Sequence, residues 1–214
     1  MNALSRLLRL SDRVLDVPYP DGILCMICGK PADGHWLCDE CQEGLLPAEP
    51  MPGILSLYAY EGAAADAVRL LKFSGRTALA RPLGLLMAAL ALKESKADLI
   101  VPVPLHWRRT WQRGYNQSAL LAGEVAKHTG LPLAEKALAR TRNTAPQARL
   151  DRDARLQNLQ GAFTANEKLV RDRHILLVDD VTTTGATLAA CTLVLLDAGA
   201  KRVEGLTACR TALE

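Results

Sequence analysis

Residues 175–187 read ILLVDDVTTTGAT. Four apolar residues lead into Asp179 and Asp180, then into Thr182, Thr183, Thr184, Gly185, Ala186 and Thr187. A short continuous apolar run is the pattern of a strand buried on both faces. Two neighbouring carboxylates at its end are costly to bury and need a reason. A core strand with a Thr-capped helix explains a threonine but not the acid pair. A phospho-receiver domain also ends its first strand in two acids, but requires a phospho-acceptor aspartate on a later strand. Only 34 residues follow Asp180, and their one aspartate, Asp197, lies in a helical pattern. A nucleoside-triphosphate loop, Gly-x-x-x-x-Gly-Lys-[Ser/Thr], is absent, and so is a Gly-x-Gly-x-x-Gly turn.

A sugar phosphate suits the stretch better. Thr182 to Thr187 fall where a helix is expected to begin, so backbone N–H groups and threonine hydroxyls converge on an anion. Gly185 lets the backbone come close. The two carboxylates accept hydrogen bonds from a ribose diol, one sugar width from its 5′-phosphate. They also favour a positively charged sugar carbon in a transition state.

Apolar run, two acids and Thr/Gly loop together resemble the signature of the type I phosphoribosyltransferases. The resemblance implies an α/β fold with a parallel sheet. It implies that Asp179 and Asp180 bind the ribose hydroxyls of phosphoribosyl pyrophosphate. It assigns Thr182, Thr183, Thr184, Gly185, Ala186 and Thr187 to the loop around the 5′-phosphate. Thr182 stands where the family more often carries an apolar residue.

Outward from this stretch, strand and helix patterns alternate. Strands are expected at 54–60, 98–104, 174–180 and 203–209, and helices at 63–73, 78–93, 116–129 and 185–199. Alternation of this kind builds a parallel sheet with right-handed crossovers. Residues 2–16 carry leucines at helical spacing, and Pro18, Pro20 and Gly22 end that pattern. LLPAEPMPG (45–53), with three prolines, reads as a linker. Residues 140–160 are polar and Arg-rich and read as a long loop. The expected organisation is an amphipathic helix and linker over 1–22, a cysteine module over 23–43 and an α/β domain over 54–214. With 214 residues, 49% of them hydrophobic, the chain can build one such core. A net charge of +3 does not by itself argue for nucleic acid. No apolar run reaches the length of a membrane span, and the N-terminus lacks a signal-peptide pattern, so a cytoplasmic location is expected.

Four of the six cysteines form two Cys-x-x-Cys pairs, Cys25/Cys28 and Cys38/Cys41, nine residues apart. Each pair can form a knuckle, and four thiolates can close a tetrahedron around structural zinc. A redox dithiol pair or an iron–sulfur cluster are the alternatives. His35 is a bystander on this count, and Cys191 and Cys209 lie in apolar patterns as small core residues.

Three further stretches, LKFSGR (71–76), VPVPLHWRRTWQRGYNQ (101–117) and RTRNTAPQARLDRDARLQNLQGAF (140–163), join the cysteine pairs in order. Together they resemble the ComF family, phosphoribosyltransferase-like proteins associated with competence and DNA uptake or utilisation. VPVP ends a strand, where α/β ligands bind, so Leu105, His106, Arg108 and Arg109 are candidates for a pyrophosphate loop. Lys72, Arg113, Gln117, Arg140, Gln147, Arg149 and Arg155 are candidates for a hood or for contact with the substrate. His106 to Gln160 carry ten Lys/Arg against four Asp/Glu. Trp107, Trp111 and Tyr115 fall in this basic segment. They are expected to pack the base of the loop, the alternative being stacking on nucleic-acid bases. Two functions follow from the resemblance. One is phosphoribosyl transfer, with Mg²⁺ chelated by pyrophosphate and ribose oxygens and a nitrogen acceptor that the sequence does not identify. The other is a binding module that contacts single-stranded DNA or an uptake helicase.

Overall fold

The computed structural model describes residues 24–32, 35–141 and 161–212. The expected helix at 2–16 and the hood candidates Gln147, Arg149 and Arg155 lie outside the described residues. In chain order come α1 (Asp39–Glu43), β1 (Ile54–Ala59), α2 (Gly62–Phe73), a 3₁₀ turn (Thr77–Leu79), α3 (Ala80–Glu94), β2 (Leu99–Pro102) and α4 (Trp107–Arg113). They are followed by α5 (Gln117–Thr129), β3 (Leu138–Arg140), β4 (Phe163–Ala165), α6 (Glu167–Val170), β5 (His174–Thr182), α7 (Ala186–Asp197) and β6 (Arg202–Arg210).

The main sheet runs β1-β6-β5-β2, every pair parallel. β5 is central and its side chains alternate between two cores, as the period of a strand requires. Leu176 and Val178 join the core built with α2, α3 and α5, whereas Ile175 and Leu177 join the one built with α7 and the β3–β4 hairpin. This explains why the stretch reads as unbroken apolar residues rather than an alternating pattern. Helices α3 and α5 cross at Gly84, where a Cβ would lie 2.4 Å from the Glu124 Cβ. Only glycine permits that approach.

Three expectations change. Residues 45–53 are not a loose linker. They run along the outer edge of β1, with Ala48 N–H donating to the Leu57 carbonyl at 3.1 Å and Ala59 N–H to the Leu46 carbonyl at 2.8 Å. The buried Arg210 guanidinium donates to the carbonyls of Glu49 and Pro50, at 2.7 and 3.0 Å. An edge strand leaves backbone groups unpaired, and this segment satisfies them. Of the loop expected at 140–160, Arg140 closes β3 against Phe163 of β4, and 142–160 lie outside the described residues. Three-residue strands are too short to show a period. A helix, α4, also takes in Arg108 and Arg109, two of the four residues expected in the pyrophosphate loop.

The cysteine module is not separate in packing. Cys25, Ile27, Leu37, Cys38, Cys41 and Leu45 belong to the same buried cluster as Leu57, Ala64 and Leu71. Arg76 donates to the Met26 carbonyl at 2.9 Å and fastens the module to the region after α2. Among the described residues no helix is long and apolar enough to cross a membrane.

Candidate functional site

Strands β2 and β5 end at different heights. Pro102 pairs with Val178, and the Val103 N–H donates to the Val178 carbonyl at 2.8 Å. Asp179 and Asp180 therefore lie just past the end of β2, while β6 continues beside them as far as Thr182 and Arg210. This is the carboxyl edge of a parallel sheet, where ligands of α/β folds bind.

Both acids are buried, Asp179 at 9% exposure and Asp180 at 3%. Each has a partner from a different helix. The Ser118 hydroxyl at the start of α5 donates to Asp179 Oδ1 at 2.7 Å, and the Asp180 N–H donates to the same oxygen at 2.9 Å. Lys72, in the last turn of α2, lies 3.0 Å from Asp180 Oδ1. Burial, and then the Asp180 charge, push the Asp179 carboxyl up to about 7, against the pull of Ser118, Lys72 and the Asp180 N–H. Among the described residues, Asp180 Oδ2 and Thr184 Oγ1 are buried without a hydrogen-bond partner. Buried polar atoms are rarely left unpaired. Here an acceptor near the end of β5 and a hydroxyl in the connection that follows it are left unpaired.

That connection is Thr183–Gly185. Gly185 has φ +77°, and a Cβ there would meet the Met51 side chain at 3.2 Å. The position demands glycine for backbone and for space. Helix α7 starts at Ala186 without a side-chain cap, so its first N–H groups are open to an anion. The motif placed Thr182 in the phosphate loop, and the structure corrects this. Thr182 is the last residue of β5, buried and paired with Arg210. Thr183 is exposed and Thr187 half-buried at the helix start.

The structure brings Lys72 to the acid pair. The strand-end loop from Val103 to His106 is tied to the same edge, because Asn116 donates from Nδ2 to the Val103 carbonyl at 3.0 Å. Its Oδ1 accepts the Ser118 N–H at 3.1 Å and caps α5. One asparagine thus fixes both the loop and the serine that meets Asp179. His106 is buried, with its ring 5.5 Å from that of Trp107. The backbones of Arg108 and Arg109 lie on α4. Arg113 and Gln117 bond each other at 3.0 Å, and the Arg113 guanidinium sits 4.9 Å over the Phe73 ring. Arg140 lies 5.3 Å over the Phe163 ring on the hairpin. The expectation that the tryptophans pack inward is corrected: Trp107 is 64% and Trp111 84% exposed. Tyr115 is the aromatic that packs inward, donating its hydroxyl to the Leu71 carbonyl. Sequence reading missed Ser118. Its signal was the Asn-x-Ser at the helix start, a cap that places a hydroxyl in the first turn.

In the cysteine module, the sulfurs of Cys25, Cys28, Cys38 and Cys41 all lie within 4.8 Å of one another, with Cys28 and Cys38 at 3.6 Å. A tetrahedron with metal–sulfur bonds of about 2.3 Å has edges of about 3.8 Å, so the cluster has the spacing and the donors to hold a metal ion. The first knuckle closes through the Gly29 N–H on the Cys25 carbonyl at 2.9 Å, with Gly29 at φ +77°. Burial opposes ionisation of Cys25, yet the N–H groups of Cys28, Cys38 and Ile27 bring its thiol down to about 6. Lys30 and Glu40 pair across the two knuckles.

Residues 116–212 match the phosphoribosyl transferase domain. Over 198 residues the chain is 36% identical to the DNA utilization protein YhgH of Escherichia coli, covering 89% of this chain and 86% of that protein. The chain belongs to the ComF family of type I phosphoribosyltransferase-like proteins. Two other members extend the comparison. Competence protein F of Haemophilus influenzae is 35% identical over 109 residues, 50% of this chain and 48% of that protein. Competence protein ComFC of Bacillus subtilis is 27% identical over 187 residues, 83% of this chain and 73% of that protein. The matched domain contains Ser118, the acid pair and the Thr/Gly loop. Lys72 and the four-thiol cluster precede it in this ComF chain.

Proposed function

We propose that the chain binds phosphoribosyl pyrophosphate with magnesium at the carboxyl edge of its sheet and transfers the phosphoribosyl group to a nitrogen acceptor. The pair of unpartnered buried atoms carries this reading. Asp180 Oδ2, near the end of β5, suits a ribose hydroxyl donor, and Thr184 Oγ1, in the connection into α7, suits a phosphate oxygen. Uncapped N–H groups at the start of α7 add the donors a 5′-phosphate needs. The Val103–His106 loop beside them suits the pyrophosphate. The edge presents oxygen groups, as a hard cation requires, and magnesium, when bound with the ligand, would be held largely by the ligand's own oxygens and would supply positive charge against the leaving pyrophosphate. The chain's own part is to orient the sugar and to set negative charge near C1 as its bond to pyrophosphate loosens. The four thiols form a closed zinc site that is structural, since no ligand position stays open. A cytoplasmic setting keeps such thiols reduced.

Calorimetry with phosphoribosyl pyrophosphate and magnesium tests the site. Saturable, magnesium-dependent binding is the expected result, and absence of binding overturns the reading. Pyrophosphate release across a panel of bases and amines tests transfer. Binding without turnover on any acceptor would leave the site and remove the transferase.

A second reading rests on the exposed tryptophans. Trp107 and Trp111, with Pro104, Leu105 and Arg140, line an open cleft of about 720 Å³ in a basic segment. Stacking on single-stranded DNA suits such a surface and agrees with the names of the relatives. Each stacked base contributes about 1–3 kcal/mol, so Trp111→Ala should weaken oligonucleotide binding by roughly tenfold or more. Binding that falls steeply with salt and responds to Trp111→Ala is the expected result. Unchanged affinity in the variant removes the stacking surface.

A further inference from the structure

We propose that Ser118 and Lys72 are the positioning residues of the acid pair, one for each carboxylate. Ser118 turns Asp179, and Lys72 holds Asp180 by one oxygen so that the other is left for the ligand. This rests on the ribose phosphate reading of the edge.

The two contacts divide the oxygens unequally. Asp179 Oδ1 already accepts two donors, the Ser118 hydroxyl at 2.7 Å and the Asp180 N–H at 2.9 Å. Asp180 Oδ1 is taken by Lys72 at 3.0 Å, and its Oδ2 is the buried oxygen without a partner. Neither helper is a chance surface contact. The Ser118 residue is 1% exposed and the Lys72 side chain 20%. They come from α5 and α2, which pack on the same face of the sheet. Asn116 fixes Ser118 by capping α5, and α2 delivers Lys72 in its last turn. Without them, two adjacent buried carboxylates would repel, and one would take up a proton or swing away.

Among the described residues, Asp179 interacts with the charges of Asp180 and Lys72, the Cys191 thiol on α7 senses Asp179 and Arg140, and the Cys209 thiol on β6 senses Asp180 and Lys72. Ser118 and Lys72 both pull the Asp179 carboxyl down, so that it rests at about 7 rather than higher. A ligand hydroxyl donates best to the ionised carboxyl. Affinity for phosphoribosyl pyrophosphate should therefore fall as pH drops through about 7. Removing either helper should move that loss to higher pH.

The test is calorimetry of the full chain with phosphoribosyl pyrophosphate and magnesium from about pH 5.5 to about pH 9. Ser118→Ala should shift the acid limb upward and also weaken binding several-fold near pH 9, where Asp179 is ionised but no longer held. Lys72→Met should shift the limb the same way and weaken binding by about tenfold at high pH, and Lys72→Arg should restore both. A purely structural role would lower the melting temperature and leave the limb in place, which overturns the inference. If the wild-type chain does not bind the ligand, the ribose phosphate reading fails. Carbon-detected titration of the Asp179 carboxyl in the free protein then reads the positioning directly. An upward move in Ser118→Ala and Lys72→Met supports it, and an unmoved titration overturns it.

Discussion

Cys25→Ser should release the metal from the N-terminal module and lower the stability of the whole chain by about 4 kcal/mol. For a chain of this size that is a drop in melting temperature of roughly 10 °C. The size of the effect follows from packing. Cys25 is 1% exposed, and it shares a buried cluster with Ile27, Leu37, Leu57, Ala64 and Leu71. Opening the knuckle removes a wall from the core beneath α2, so the loss is not confined to a detachable finger. Serine is nearly the same size but a far weaker ligand for a soft-bonding site. Metal analysis and thermal unfolding of chelator-free preparations check this. Wild type should carry one zinc per chain. Cys191→Ser, in α7 and in the other buried cluster, should keep its metal. Less than one zinc in wild type counts against the zinc assignment.

Asp180→Asn should weaken phosphoribosyl pyrophosphate by roughly ten- to hundredfold, the worth of one charge-assisted hydrogen bond of about 1.5–3 kcal/mol. Amide for carboxylate keeps the shape and removes the charge. The fold should respond in the opposite sense at high pH. The Asp179 carboxyl titrates at about 7 in the folded chain, above its unfolded value near 3.9. An acid raised on folding contributes most stability at low pH and loses it as pH rises from about 4 through about 7. The Asp180 charge is one cause of that rise, so its removal should flatten the decline of stability with pH. Urea unfolding at several pH values, set beside calorimetry, separates the two effects. Wild-type affinity in Asp180→Asn would sink the assignment of the ribose contact. Stability traded against a functional site is the expected pattern for paired buried acids.

Much of the fold was legible because β5 carries its own signature. Burial on both faces makes a strand continuously apolar, and the acids and Thr/Gly turn mark where that burial stops. The strands at 54–59, 99–102 and 202–210 and the helices between them appear close to their expected limits. Short elements were not legible. α4, β3 and β4 span few residues, and their pairing depends on partners distant in the chain. The proline-rich 45–53 segment was misread because composition reports local flexibility, whereas its order comes from the unpaired edge of β1 and from Arg210. The tryptophans were misread for a related reason. Trp is buried on average, and only the placement of α4 on the surface leaves Trp107 and Trp111 exposed.

The sequence by itself determined which groups make up the two clusters. Residue type and spacing within a short stretch suffice when the groups are neighbours, as with Cys25/Cys28, Cys38/Cys41 and Asp179/Asp180. The family followed from the order of such stretches. Tertiary structure alone decided what holds the acids. Lys72 and Ser118 lie more than sixty positions upstream of the acid pair. No local pattern records that α2 and α5 would deliver them to the end of β5. Their partnership arises from stacking both helices on one face of a parallel sheet, a long-range packing choice in which every residue of the core takes part.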